Sequence, residues 1–270
     1  MGAAELYQVD PFAPSNGTTL IHTFPEATAL FGIAELSRGN YAVIASLFNS
    51  TSLSGTNWTV WSVELQRNTA AEVSKIADVP DAGFLNGMTA LNNHTLLIAD
   101  SANGTVIKLD TRNGTYETAI DDASMKILPG APLPVGINGL KLHREYLYYT
   151  SSTQGSVNRV KVDKEGYASG PIETISNSTT LVDELVVARD GSAIVARPLG
   201  NDVARFSLDG THEILAGGLN SSDVAGAVSV TLGRTKKDRN VVYVSTNGGI
   251  AAPVNGTFTE GGKVVAITLQ

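Results

Sequence analysis

The chain contains no cysteine, so a disulfide framework, a thiol nucleophile, a zinc knuckle and an iron–sulfur cluster are all excluded, and compartment cannot be read from cysteine usage. Charge is sparse as well: 17% of the 270 residues are Asp, Glu, Lys or Arg, and they sum to −7. No basic block stands out, which argues against nucleic acid or an anionic membrane as partner, because both need clustered Lys and Arg. No apolar run is long enough to cross a bilayer as a helix, so no membrane insertion is expected. Helix-period patterning is missing apart from a turn near residues 119–125. The four histidines, His22, His94, His143 and His212, fall on expected outer strands or hairpin turns and are assigned no chemistry. The Gly-Gly phrases at Gly217, Gly248 and Gly261 precede no helix, so a phosphate loop is not expected. Nor is there a nucleophile elbow for a serine hydrolase.

What is present is 42% hydrophobic residues and 27 glycines. That balance excludes intrinsic disorder and points to many turns in one large domain or two small ones. Asn-x-Ser/Thr sequons begin at Asn16, Asn49, Asn57, Asn93, Asn103, Asn113, Asn177, Asn220 and Asn255, against roughly a third as many expected by chance. They suggest a glycosylated chain of the secretory pathway or extracellular space. Met1-Gly2-Ala3-Ala4-Glu5 has no apolar h-region, so a signal peptide is expected to have been removed. The competing reading is a Ser/Thr-rich β protein whose turns collect Asn-Gly.

One pattern recurs along the chain: an apolar strand, a polar turn, a second apolar strand ending in small polar residues, a glycine loop and a third strand. It begins near residues 32, 86, 138, 183 and 228. Asn86-Gly87-Met88-Thr89-Ala90 followed by Thr95-Leu96-Leu97-Ile98-Ala99-Asp100 is one copy; Asn138-Gly139-Leu140-Lys141-Leu142 followed by Tyr146-Leu147-Tyr148-Tyr149-Thr150 is the next. This interval predicts a single all-β domain, residues 1–270, built as a β-propeller of four-stranded blades. Five repeats are counted, six if one blade is degenerate. The fifth runs out of chain after its third strand, and an unassigned strand at residues 19–24 is expected to complete it and close the ring.

A propeller places its site. The starts of the innermost strands and the ends of the second strands converge at one mouth of the central channel, which would be lined by Phe31, Gly32, Asn86, Asn138, Asp183, Glu184 and Ser229. Around these would stand Asp100, Ser101, Thr150, Arg197 and Asn247. Two apolar loops, residues 47–58 and 125–135, are expected to roof it.

The phrases Phe84-Leu85-Asn86-Gly87-Met88, Gly136-Ile137-Asn138-Gly139-Leu140, Asp183-Glu184-Leu185 and Thr246-Asn247-Gly248-Gly249 resemble the fungal branch of the senescence-marker-protein, gluconolactonase and luciferin-regenerating-enzyme propellers. The resemblance runs from about residue 30 to residue 269. It implies a usually six-bladed propeller and, in hydrolytic members, a divalent cation such as Ca²⁺ at the channel mouth. Asn138 and Asp183 match ligand positions, and Asn86 matches a position for substrate or metal-bound water. The first-blade glutamate has no counterpart, because Phe31-Gly32 stands where relatives read Glu-Asn. A hard cation wants six to eight oxygens, so losing the most anionic one makes no metal the expectation.

Two functions follow. One is metal-dependent lactone hydrolysis, with Asp183 or Glu184 as base. The other, preferred here, is a cofactor-free pericyclase resembling the hetero-Diels–Alderases of fungal tropolone–sesquiterpenoid biosynthesis, which join a tropolone quinone methide to humulene. Small apolar and tropolone-type substrates are the expected partners. In this reading Asn86, Asn138 and Arg197 orient the tropolone oxygens, Asp183 or Glu184 assists dehydration, and Phe31, Phe48, Phe84, Met88 and Leu133 hold the hydrocarbon. A binding scaffold without catalysis is the third possibility.

Overall fold

The computed structural model describes residues 3–13, 17–66, 69–178 and 180–269. The described chain is all-β apart from one 3₁₀ turn, Ala123–Met125, and its contacts cluster into two compact units, Met1–Asp121 and Asp122–Gln270.

The first unit opens with a two-stranded hairpin, β1 (Glu5–Val9) and β2 (Thr18–Thr23). Two four-stranded antiparallel sheets follow: β3 (Ala29–Ser37), β4 (Asn40–Asn49), β5 (Ser54–Glu64) and β6 (Glu72–Asp78), then β7 (Leu85–Asn92), β8 (Thr95–Asp100), β9 (Thr105–Asp110) and β10 (Tyr116–Asp121). The second unit holds three sheets. The first is β11 (Ile137–His143), β12 (Tyr146–Ser151), β13 (Ser156–Val162) and β14 (Ala168–Asn177); the next is β15 (Leu185–Val187), β16 (Ala193–Arg197), β17 (Asp202–Phe206) and β18 (His212–Gly217). The last has three strands, β19 (Ala227–Leu232), β20 (Val241–Thr246) and β21 (Val264–Thr268).

These are the five blades of a five-bladed β-propeller class, each with its strands in chain order as the repeat predicts. The residue 19–24 segment forms a strand, but its partner is β1, Leu6 facing His22 and Val9 facing Thr18. The expected roof of residues 47–58 also takes another form. β4 and β5 continue past the sheet as a paired arm, with Phe48 opposite Gly55 and Asn49 opposite Ser54.

Burial explains the sequence texture. β8 and β16 are sandwiched on both faces and read as continuous apolar runs, buried along nearly their whole length, whereas the outermost β18 is mostly exposed. The second strands β8, β12 and β20 end in polar residues, Asp100, Ser151 and Thr246, which stay buried.

The inner strands share one irregularity that carries the site. In β3 the three-residue step Leu30-to-Ile33 faces the two-residue step Val43-to-Ala45; β7 does the same between Leu85 and Met88, and β11 between Ile137 and Leu140. β19 carries a related extra residue between Ala227 and Ser229. The Phe31-Gly32, Asn86-Gly87 and Asn138-Gly139 pairs are thus β-bulges, which bend a strand and re-aim a side chain out of the pleat. Glycine is required where the bulge brings backbones together. A Cβ on Gly32 would lie 2.4 Å from the Asn86 carbonyl oxygen and 2.9 Å from the Met88 Cβ. Gly32→Ala should therefore cost about 1–3 kcal/mol through overpacking, read as a lower urea midpoint at unchanged m-value; a midpoint equal to that of the parent would refute the close approach.

Candidate active site

In the second unit the inner ends of β11, β15 and β19 are stitched together by side chains. Thr150 Oγ1 accepts from the Gly139 N–H at 2.8 Å and donates to the Asp183 carbonyl at 2.6 Å. Ser152 Oγ donates to the Val182 carbonyl at 2.7 Å and accepts from Asn138 Nδ2 at 2.9 Å. The Asp183 N–H donates to the Ala196 carbonyl and the Glu184 N–H to the Val228 carbonyl. These bonds fix Asn138, Asp183 and Glu184 side by side. Gly139 permits it, since a Cβ there would meet Glu184 Cα at 2.7 Å.

The two carboxyl groups have different environments. Glu184 Oε1 accepts from the backbone N–H groups of Leu140 and Leu185 at 3.2 and 3.1 Å and lies 3.5 Å from the Lys141 ammonium. Its charge is thus compensated. Asp183 is half-buried, and its pKa is raised to about 7, first by desolvation and then by the Glu184 charge; hydrogen bonds from Asn138 and from the Glu184 backbone oppose the rise. A carboxyl poised near neutrality beside an ionised partner is the arrangement of an acid–base pair.

The 126–136 loop leads into β11, its end accepting from the Ser152 and Thr153 N–H groups at Gly136 and Val135. Its base is pinned where Asp122 accepts from Ser124 N–H and Oγ, Ser124 Oγ shares a 2.6 Å bond with the buried Tyr149 hydroxyl, and Gln154 Nε2 donates to the Ala123 and Lys126 carbonyls. Leu128, Pro132 and Leu133 of the loop, with Leu181, Leu199 and Ser152, line a pocket of about 410 Å³. Leu133 thus shares a pocket with Ser152, which is hydrogen-bonded to Asn138.

In the first unit, Phe31, Phe48 and Phe84 form the aromatic group that the sequence pointed to. Phe31 meets Phe48 and Phe84 edge-on at centroid distances of 4.9 and 5.3 Å. Sequence reasoning missed its fourth member, the buried Trp58, whose indole stacks on Phe84 at 5.5 Å. Trp58 follows a residue of positive φ, Asn57, on the β4–β5 arm. Met88 is fully buried, closed over by the β3 bulge. Asn86 is half-buried on its bulge and lacks any side-chain partner among the described residues.

Several other expected site residues hold the structure together. Arg197 is buried, and its guanidinium forks onto Asp202, Nε to Oδ1 at 2.6 Å and NH2 to Oδ2 at 2.9 Å; Asp202, not the 183–184 pair, is its ion-pair partner. The fully buried Asp100 accepts from the N–H groups of Gly83, Phe84 and Asn103 and from Asn103 Nδ2, which ties down the turn that presents Phe84. Asp100→Ala should cost about 1–3 kcal/mol by leaving buried donors unpaired, measurable as a lowered melting temperature; an unchanged one would contradict this anchoring. Ser101 is buried, with its N–H on the Phe84 carbonyl. Asn247 Oδ1 accepts from Gly249 and Ile250 within its own loop. Ser229 is half-buried next to the β19 bulge.

The sequon asparagines 49, 57, 93, 103, 113, 177, 220 and 255 are all exposed, while Asn16 lies outside the described residues. Asn103 differs in that its amide nitrogen is engaged by Asp81 and Asp100.

Of the donors the resemblance implies for a cation, Asn138 and Asp183 are present side by side, while Phe31 and Gly32 stand where the first-blade glutamate would be. A metal-bound asparagine offers its oxygen and a metal-bound carboxylate is ionised. Here the Asn138 amide nitrogen serves Ser152, which leaves its oxygen available; Asp183 is pushed toward the neutral form, and Glu184 is turned toward Lys141 and two backbone amides. Among the described residues no group of three or more His, Asp or Glu is placed to hold a metal. No step is derived through one.

Blade architecture and bulge-borne polar residues together define a propeller with a candidate site at the inner strand ends. Comparisons with known proteins agree on the fold. The chain is similar to a solved luciferin-regenerating enzyme (TM-score 0.62, 14% identity, 93% of this chain and 80% of that one) and to regucalcin, a calcium-binding protein of Agrobacterium tumefaciens (TM-score 0.62, 15% identity, 99% and 85%). In sequence it resembles two proteins carrying provisional hetero-Diels-Alderase names. One is from a Phoma species, 26% identical over 81% of this chain and 69% of that protein; the other is from Sarocladium schorii, 26% identical over 87% and 68%. No family model matches.

Proposed function

We propose that the protein is a metal-independent pericyclase of the hetero-Diels–Alderase type, acting on a tropolone quinone methide and a humulene-type sesquiterpene. The observation that carries this reading is geometric: the bulge-borne Asn138 and the Asp183 and Glu184 carboxyls are fixed side by side at the inner-strand ends, an arrangement that raises the Asp183 pKa. The two similar proteins with provisional hetero-Diels-Alderase names support the reaction class.

The protonated Asp183 gives its proton to the hydroxyl that leaves a hydroxymethyl tropolone. Water departs as the quinone methide forms, and the ring hydroxyl proton returns to Asp183, so no net proton is consumed. Asn138 orients the tropolone oxygens and Glu184 keeps the Asp183 proton affinity high. The cycloaddition then makes one C–O and one C–C bond, with no covalent contribution from the chain. Positioning supplies up to roughly 7–11 kcal/mol in favourable systems, and the apolar loop wall at Leu133 suits a hydrocarbon partner. Asn86 is free to meet a polar atom of the substrate. The exposed sequons fit a glycosylated, secreted protein.

The pH dependence of adduct formation tests the acid role. Because the protonated Asp183 is the active form, the dehydration-limited rate is high below about pH 7 and falls above it. A rate that climbs through pH 7 would mean a carboxylate base and would favour lactone hydrolysis.

A further inference from the structure

At the opposite end of the second unit's strands, one loop conceals a cationic site within an acidic chain. The β19–β20 turn reads Gly233-Arg234-Thr235-Lys236-Lys237-Asp238-Arg239-Asn240. Its only acid, Asp238, is turned inward and buried, accepting from Thr235 N–H and Oγ1 at 2.7 Å each and from the Tyr243 hydroxyl at 3.2 Å. The outer surface of the loop is left cationic. The β15–β16 turn brings Arg189 to the same place, and the acid next to it, Asp190, is occupied with Arg205. Arg189, Arg234, Lys236 and Arg239 line one pocket of about 420 Å³. Leu232 and Leu269 add apolar surface to it. Arg189, Lys236 and Arg239 have no ion pair among the described residues.

Four cations around one concavity concentrate positive potential that a net charge of −7 does not suggest. The apolar surface excludes a bare inorganic ion as the best fit, since Leu232 and Leu269 would stay unused. Arg189 lies five residues beyond Glu184 along the chain, about 15 Å at strand rise, so this pocket is separate from the Asp183 cluster. We propose that it binds an organic oxyanion, a hydrocarbon body ending in a phosphate or carboxylate, with the guanidinium groups of Arg189 and Arg239 forking onto the head group.

Calorimetric titration of the full chain with 1-naphthyl phosphate tests this, alongside co-sedimentation with phosphatidylglycerol vesicles and with phosphatidylcholine vesicles. Expected is saturable binding that weakens with added salt and drops roughly tenfold in Arg239→Ala, the size of one lost charge-assisted bond; Arg189→Ala/Arg239→Ala should abolish it. Naphthyl phosphate binding points to a free organic anion. Sedimentation with phosphatidylglycerol alone, lost in the double variant, points to a lipid head group as the source of the same chemistry. Both side chains are exposed, so the variants should fold as the parent does. Binding of neither probe, or binding unchanged in the double variant, overturns the assignment.

Discussion

Asp183→Asn is expected to reduce adduct formation by about 10²- to 10⁴-fold, the usual contribution of a positioned acid or base, while the protein folds normally. The asparagine keeps the shape and can still hydrogen-bond Asn138, but it has no proton to give. The same variant should change the pH dependence of stability in a defined direction. An aspartic acid whose folded pKa is about 7, against 3.8 in the unfolded chain, binds its proton more tightly when folded. Its contribution is therefore fully present below about pH 4, declines as the pH rises toward 7, and is lost above that. Asp183→Asn should flatten this decline and raise the melting temperature at pH 8 relative to the parent. Turnover within about threefold of the parent, or an unchanged stability profile, would remove Asp183 from the acid role.

Arg197→Ala should have the largest effect on stability. Arg197 and Asp202 are each 6% exposed and pair through two bonds. Removing the guanidinium strands a buried carboxylate, which costs roughly 3–5 kcal/mol and lowers the melting temperature on the order of 10 °C. Replacing both partners together, Arg197→Met with Asp202→Leu, should recover much of the loss. Because Arg197 touches neither Asp183 nor Glu184, turnover per folded molecule should stay near that of the parent. A normal melting temperature with lost turnover would return Arg197 to the catalytic site.

The repeat was legible because four-stranded blades put the same texture at the same interval: a half-buried inner strand, a fully buried second strand and a glycine loop. The Asn-Gly phrases located the inner-strand starts, and their structural meaning is a bulge, which periodicity cannot display because it breaks the period. Arg197 looked like a site residue because it ends a second strand; register was the missing signal, since a tight β16–β17 hairpin sets it directly opposite Asp202. The β4–β5 arm was read as loop because its Asn-Ser-Thr-Ser-Leu-Ser-Gly stretch is turn-rich, although cross-strand pairing extends past it. Trp58 escaped notice because nothing in a local window shows that an arm folds its indole back onto Phe84. The basic turn at Arg234 was averaged away by composition: its cations are a small share of the chain, and the inward rotation of Asp238 is not visible in sequence.

The central claim is chemical: the chain accelerates a dehydrative cycloaddition through its own side chains, with Asp183 as acid. Its most direct test is adduct formation from a hydroxymethyl tropolone and humulene at pH 6.5, followed chromatographically with and without the protein, in the presence of excess EDTA. The account predicts a rate well above the buffer background, unaffected by the chelator and largely lost in Asp183→Asn. A rate no faster than buffer, or one that EDTA abolishes and Ca²⁺ restores, would contradict it.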